Sequence, residues 1–298
     1  MIFSIGIVAA ESPERIVSLA PSNTEILFAI GAGDRMVGVT TFCDYPTDAK
    51  DIEKLGGFYP DAPEKIVNAT PDIIFARPHN KEMIEGIGKT NITIFIDEKN
   101  VEDIFENIKL IGTHIGNLPE AETLVNDMQS QLQIIENVVE GIPINQNPRI
   151  LYITWHGPIF AAGPDSFIGN IINIVGGINV VEEGDWSVIG IESIVDMNPD
   201  VIIASNEMVQ DGIITNPALS GIDAVANGKV FVMNDENIIS RPGPRIVDGI
   251  EDMHSIILQN LKPELEPEPK PVVPGFGIVA TILGFFVLAK LMQKKNKK

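Results

Sequence analysis

Glu64-Lys-Ile-Val-Asn-Ala-Thr-Pro-Asp-Ile-Ile-Phe-Ala76 returns 128 residues further on as Glu192-Ser-Ile-Val-Asp-Met-Asn-Pro-Asp-Val-Ile-Ile-Ala204. Seven residues coincide in one thirteen-residue register, E-x-I-V-x-x-x-P-D-x-I-x-A. In each copy a glutamate opens a short helical turn and a proline (Pro71, Pro199) breaks it. An apolar run too short for a helix follows, so the pattern predicts helix, turn and buried strand twice over. A second echo surrounds the first: Arg15-Ile-Val-Ser-Leu19 and Arg149-Ile-Leu-Tyr-Ile153 are short apolar strands introduced by an arginine. Each leads through a loop with Pro and Ser into a helix ending in glycine, at Gly31-Ala-Gly33 and at Gly176-Gly177. The chain thus reads as two related α/β lobes.

Composition narrows the class. The 298 residues are 44% apolar, enough for two cores of ordinary size. Acidic residues outnumber basic ones 41 to 21, and five of the lysines lie in the last nine positions. A surface so negative repels phosphate backbones, which argues against a nucleic-acid partner. Cys43 is the one cysteine, so no intramolecular disulfide or thiolate cluster can form, and the four histidines lack ligand spacing; no metal site and no cofactor are expected.

The ends of the chain speak of address. Residues 1–13 resemble the remnant of a secretory signal, an apolar run closing in small residues without a basic start; a buried first strand is the alternative. Residues 263–274 alternate proline with acidic residues and predict an extended stalk. From Gly275 the chain is apolar as far as Met292, apart from Thr281 and Lys290, and a helix there would reach about 27 Å, just enough to cross a membrane. The lysines beyond it put the C-terminus in the cytoplasm and the lobes outside. Pro274-Gly-Phe-Gly-Ile followed by an apolar segment and a basic end resembles the archaeal sorting tails that begin with Pro-Gly-Phe. That resemblance implies a tail over 275–298 that is cut and replaced by a lipid; a permanent anchor is the alternative, and both tether the lobes to the outer face of the membrane.

Within the first lobe, 14–118, Pro21 and Ser22 follow the first strand, and Ser22 with Glu25 has capping-box spacing. A helix N-terminus just past a strand's carboxyl end is where ligands sit in open α/β sheets. Phe42, Tyr45 and Phe58 lie in glycine- and proline-loosened loops as candidate pocket rings, with Arg77 at the end of the Ile73–Ala76 strand as a candidate pocket edge. Residues 119–141 carry the longest helical period, with Leu124, Met128, Leu132, Ile135 and Val139 on one stripe, and read as a rigid strut of roughly 33 Å between lobes. In the second lobe, 142–262, Asp165-Ser166 caps a helix, and Trp155 and Trp186 are placed in loops as a stacking surface for a large flat ligand. Arg241-Pro-Gly-Pro-Arg245 forms a stiff basic loop suited to amide or carboxylate oxygens.

Taken together, Arg15-Ile-Val-Ser-Leu-Ala-Pro-Ser-Asn-Thr-Glu25, Gly31-Ala-Gly-Asp-Arg-Met-Val-Gly-Val39, Cys43-Asp-Tyr-Pro46, the doubled repeat and Arg241-Pro-Gly-Pro-Arg245 resemble the iron-siderophore and cobalamin substrate-binding proteins of ABC importers. The resemblance spans about residues 14–260 and implies two Rossmann-like α/β lobes joined by one long helix, with a ligand in the cleft between them. The Asp-Tyr-Pro loop and the two tryptophans are similar to the cobalamin binders, whereas Arg77 departs from them and the Arg241/Arg245 pair also suits an acidic ferric siderophore. The resemblance further implies a permease and its ATPase as partners, with Glu64 and Glu192 docking on permease arginines. No GxSxG, phosphate loop or useful histidine–carboxylate spacing is present, so no catalytic residue and no enzyme activity are expected. A surface adhesion protein, the rival of another class, would explain the acidity and the anchor but not duplicated lobes with aromatic loops at strand ends.

Overall fold

A computed structural model of the chain describes residues 12–59 and 63–262. Residues 1–11 of the proposed signal remnant, the stalk and the sorting tail therefore lie outside the described residues, within which no helix is long and apolar enough to cross a membrane. Among the described residues ten strands form two sheets: β1 (Ile16–Ser18), β2 (Met36–Val39), β3 (Ile73–Ala76) and β4 (Thr93–Phe95) in the first lobe, and β5 (Arg149–His156), β6 (Ile159–Ala162), β7 (Ile178–Asn179), β8 (Trp186–Ile189), β9 (Val201–Ala204) and β10 (Val230–Val232) in the second. The first sheet runs β2-β1-β3-β4, all parallel. In the second, β10, β9 and β5 are parallel, and β6 and β8 extend the sheet antiparallel. Strands β1, β3 and β9 are buried along their whole length, Ser18 of β1 included, as parallel strands at the centre of an α/β sheet are.

The two echoes in the sequence are halves of one device. Asp72 accepts the backbone N–H of Glu14 and of Arg15, each at 3.0 Å, while Arg15 Nη2 donates back to Ala69 O at 2.7 Å. In the second lobe Asp200 accepts the N–H of Arg149 at 2.7 Å, and the Arg149 guanidinium reaches Asn198 O at 3.3 Å. Each Pro-Asp thus clamps the entry of the neighbouring strand and sets a parallel register, Ile16 against Ile73 and Ile150 against Val201. Thr70 (φ 44°) and Asn198 (φ 39°) occupy the same repeat position in the same left-handed conformation. Gly31 (φ 79°) and Gly176 (φ 78°) likewise close equivalent helices.

The helix Leu118–Glu140 buries Met128, Leu132 and Ile135 of the expected stripe together with Ala121 and Val125, whereas Leu124 and Val139 are only partly buried against the core. It does more than span a gap. One continuous apolar core runs from Ile16 and Leu27 through Val125, Met128 and Leu132 to Ile150 and on to Ile246, Ile250 and Met253 of the last helix, Ile246–Gln259. Opening the lobes would expose that shared core, so large hinge motion is opposed.

Two local expectations are corrected. Ser166 caps its helix through the Gly169 N–H at 2.9 Å, but the helix Pro21–Ala29 has no capping box. Ala20 is its N-cap and Pro21 its first residue, and the Glu25 carboxylate is drawn away to an arginine of the other lobe. Both tryptophans sit on strands rather than loops, Trp155 near the end of β5 and Trp186 at the start of β8. The extension of β5 beyond Ile153, and its pairing with β6 past an irregularity between Ile153 and Trp155, interrupt the simple alternation that marks a strand.

Candidate ligand-binding cleft

The carboxyl ends of both parallel sheets open onto one trough, where open α/β sheets bind ligands. Its first-lobe half, about 430 Å³, is lined by Ala20, Pro21 and Ser22 after β1, by Phe42 and Phe58, and by Arg77 just past β3. Phe42 and Phe58 stack with centroids 4.3 Å apart and planes inclined by 16°, yet each remains 44% exposed, so the pair presents ring surface to the trough. Buried Asn80 fixes this wall: its amide donates to Phe58 O at 2.8 Å while its Oδ1 accepts the Arg77 N–H at 3.0 Å.

The second-lobe half, about 330 Å³, is lined by Tyr152 and Thr154 of β5, Phe167, Trp186, Ser205 and Asn206 just past β9, and Glu236. Phe160 and Trp186 are parallel to within 3°, centroids 5.8 Å apart across the β6–β8 pair; Trp186 lines the trough, and Phe160 is not among its lining residues. Trp155 is the register partner of Phe160, but its indole N–H donates to Gly157 O at 2.9 Å and the residue is not among those lining the trough. Burial pushes the Tyr152 hydroxyl up, with the charge of Glu236 adding to it, so this phenol stays protonated and can donate.

Glu98 lies where the two halves meet. Its side chain is 5% exposed and paired with Arg77, whose guanidinium also stands 3.6 Å from Asp97. Burial raises the Glu98 carboxyl above its usual range, opposed by the Arg77 hydrogen bond and charge. At the far rim Asp165 and Asp185 join Lys99 around Phe167 and Trp186. Among the described residues Glu236 receives one side-chain hydrogen bond, from the Asn206 amide at 3.1 Å. Among the described residues no group of three potential metal ligands occurs.

The arginine loop differs from expectation. Arg241 lines the first-lobe half of the trough, but it bonds Asp44 at 2.5 Å and stands 3.6 Å from Glu25. Arg245 lies outside the trough, bound bidentately to Glu25 at 2.9 and 2.7 Å and stacked 4.0 Å over the ring of Tyr45. Tyr45 and Arg245 instead line a separate hollow beside Leu124, Met128 and Gln131 of the long helix. Of the residues singled out in the sequence, the fold brings Pro21, Ser22, Phe42, Phe58, Arg77, Trp186 and Arg241 to the trough, and leaves Tyr45, Trp155 and Arg245 out of its lining. Glu64 and Glu192 are exposed, each in the first turn of its repeat helix. Sequence reasoning missed Glu98, Tyr152, Thr154, Phe167, Ser205, Asn206 and Glu236. The repeat contained the clue to two of them, because Ser205 and Asn206 follow Ala204 as Arg77 follows Ala76.

Comparison with known proteins agrees with this architecture. A family model described as periplasmic binding protein matches residues 16–236. The chain is 30% identical, over 82% of its length and 79% of the relative's, to an uncharacterized ABC transporter substrate-binding lipoprotein of Bacillus subtilis. The crystal structure of the periplasmic vitamin B12 binding protein of Vibrio cholerae superposes with a TM-score of 0.74 at 26% identity, covering 84% of this chain and 99% of that one. A possible iron-binding periplasmic solute-binding protein of Staphylococcus epidermidis also gives 0.74, at 27% identity over 83% of this chain and 99% of its own. With a family model matched over most of both lobes, the chain belongs to the periplasmic binding protein family.

Proposed function

We propose that this chain is the extracytoplasmic substrate-binding protein of an ABC importer and that it carries a corrinoid in the inter-lobe trough. Relatives described as an ABC transporter substrate-binding lipoprotein and as vitamin B12 binding support the importer reading. The observation that carries the ligand assignment is the combination of aromatic rings lining both lobes, the Phe42/Phe58 stack on one and Phe167 with Trp186 on the other, with trough arginines already paired to carboxylates. Such a trough suits a broad, flat ligand rimmed by neutral amides. Thr154, Ser205, Asn206 and the protonated Tyr152 offer uncharged partners, while Glu98 and Glu236 repel carboxylates. A ferric chelate is the second reading. It is favoured by Arg77 and Arg241, which line the trough and would need only to exchange their carboxylate partners for an anionic ligand.

On this reading Glu64 and Glu192 dock on cations of the two permease halves, and a membrane attachment through the C-terminal tail keeps the protein beside its permease. Isothermal titration with cobalamin, cobinamide, hemin and several ferric siderophores tests the assignment. One-to-one saturable binding of the corrinoids is expected; saturable binding of the siderophores alone would overturn the corrinoid reading and install the second.

A further inference from the structure

The polar groups lining the second-lobe half of the trough differ in what they have left to offer a ligand. The Ser205 hydroxyl donates to Thr154 O at 3.0 Å. The Asn206 amide donates to Ser205 Oγ at 3.3 Å and to Glu236 at 3.1 Å, while its Oδ1 accepts the Val209 N–H at 3.1 Å. Those hydrogens are committed inside the lobe, and the side chains of Thr154 and Glu236 stay open to water. Two lining groups are neither committed nor open. Tyr152 is 3% exposed, and among the described residues its hydroxyl makes no hydrogen bond. The Glu98 side chain is 5% exposed; Arg77 holds its Oε2, and among the described residues no partner reaches Oε1. Sealed side-chain atoms without a partner occur on Asn23, Asn147, His156 and His254 but not on these two residues. The Tyr152 oxygen and Glu98 Oε1 therefore open on the trough that both residues line.

A buried polar group without a partner is destabilising, and a ligand that supplies the partner recovers that loss on binding. Tyr152 is a donor, its phenol kept protonated by burial. Glu98 Oε1 is an acceptor, on a carboxylate held against the Arg77 guanidinium. Donor and acceptor on the wall of one hollow match a group that accepts at one atom and donates at its neighbour, as a primary carboxamide does through its oxygen and its N–H. A ligand carboxylate could take the Tyr152 hydrogen bond, but it would set a second negative charge beside Glu98, with Glu236 on the same wall. Arg77 is already engaged by Glu98 and stands 3.6 Å from Asp97, so it is not free to neutralise the newcomer. We propose that Tyr152 and Glu98 are the specificity-determining pair of the trough. The Tyr152 hydroxyl donates to the oxygen of a ligand carboxamide and Glu98 Oε1 accepts its N–H, so that peripheral amides are admitted and peripheral acids refused. Glu98 follows β4 of the first lobe and Tyr152 belongs to β5 of the second, so the same recognition draws on both lobes. The proposal rests on the corrinoid reading above and adds which atoms read the ligand's edge.

Dicyanocobyrinic acid heptaamide and dicyanocobyrinic acid share one corrin ring and differ only in carrying carboxamides or carboxylates at its edge. Both would be titrated calorimetrically into the wild-type chain, Tyr152→Phe, Glu98→Gln and a reference, Glu120→Gln, which removes one exposed carboxylate from the first turn of the long helix. Wild type should bind the amide form more tightly, by about tenfold to a hundredfold. Glu98→Gln should narrow that ratio by about tenfold, whereas Glu120→Gln should leave it unchanged. Tyr152→Phe should weaken binding of the amide form by roughly threefold to tenfold while unfolding thermally like wild type. Equal narrowing in Glu98→Gln and Glu120→Gln would show that overall charge refuses acids, and would overturn the proposal. So would undiminished binding of the amide form by Tyr152→Phe; should that variant unfold early, Glu98→Gln against Glu120→Gln decides alone. If wild type binds both corrinoids equally, this proposal falls and the corrinoid reading stands. If it binds neither, both fall.

Discussion

Arg245 holds Glu25 through two parallel N–H···O bonds of 2.9 and 2.7 Å, tying the loop after β10 in one lobe to the first helix of the other. The Glu25 side chain is 2% exposed and Arg245 16%, so the carboxylate depends on the guanidinium far more than the reverse. The Glu25 hydrogen bond raises the Arg245 guanidinium above its ordinary range, burial opposing it. Arg245→Ala should therefore destabilise the protein by about 3 kcal/mol, because it leaves a buried carboxylate with only Arg241 at 3.6 Å. Glu25→Ala should cost less, since Arg245 keeps Tyr45 beneath it and Asp235 at 3.6 Å. Urea unfolding of both variants checks the order; equal losses would mean that the pair is not asymmetric in the way its burial implies.

Acid should act on two buried groups in opposite senses. The Glu98 carboxyl is raised by burial above its ordinary value near 4.5. Its contribution to stability is then fully present below that value and lost as pH rises through the folded-state pKa. His254 is lowered by burial from 6.5, so its contribution is present above 6.5 and lost as pH falls through its folded-state pKa. Between pH 7 and 4.5, Glu98→Gln should steepen the loss of stability on acidification, and His254→Gln should flatten it. Urea midpoints measured across that range give both slopes, and parallel curves for wild type and Glu98→Gln would refute the Glu98 assignment.

Ligand affinity should separate the aromatic residues by their position. Trp186→Ala and Phe58→Ala remove trough walls, and by analogy with base stacking each should weaken corrinoid binding by roughly 1–3 kcal/mol, about tenfold to a hundredfold. Tyr45→Ala and Trp155→Ala should leave it within a few-fold, because Tyr45 lies under Arg245 beside the long helix and the Trp155 indole N–H is held by Gly157 O. Calorimetry on the four variants decides it, and a large loss from Tyr45→Ala would return that ring to the binding site.

What could be read in the chain and what could not have physical reasons. The doubled repeat predicted both central strand pairs because its apolar runs are bounded by Pro-Asp, and a buried parallel strand announces itself by continuous apolarity. The long helix was legible from its stripe. The β6–β8 extension was not, since Ile159–Ala162 and Trp186–Ile189 are four residues each and too short to show a period. The arginine loop was legible, but its pairing with Glu25 and Asp44 was not. Charge pairing between Glu25 and Arg245 spans 220 residues, and no local pattern reports it. Glu98, now at the centre of the trough, follows a weak strand in an acidic chain, and nothing distinguished it from the solvated carboxylates around it.

The repeat also predicts a difference between its two left-handed residues. Thr70, at φ 44°, is a branched residue where L side chains crowd the following carbonyl, at a cost of roughly 1–2 kcal/mol. Its hydroxyl returns one hydrogen bond from Arg15 Nε at 3.1 Å, but that nitrogen also reaches Thr70 O at 3.1 Å and Ala69 O at 3.2 Å, so little depends on the side chain. Thr70→Gly should therefore stabilise the protein, by up to about 1 kcal/mol after the added freedom of the unfolded chain is counted. Asn198, at φ 39°, tolerates the conformation better and its side chain is engaged: it donates to Asp223 Oδ2 at 2.8 Å and accepts the Asp223 N–H at 2.9 Å. Asn198→Gly should lose those bonds and destabilise by about 1 kcal/mol. The same substitution at equivalent places in the two lobes is thus expected to shift the urea midpoint in opposite directions. Shifts of the same sign would show that backbone strain at Thr70 is not what distinguishes the two copies.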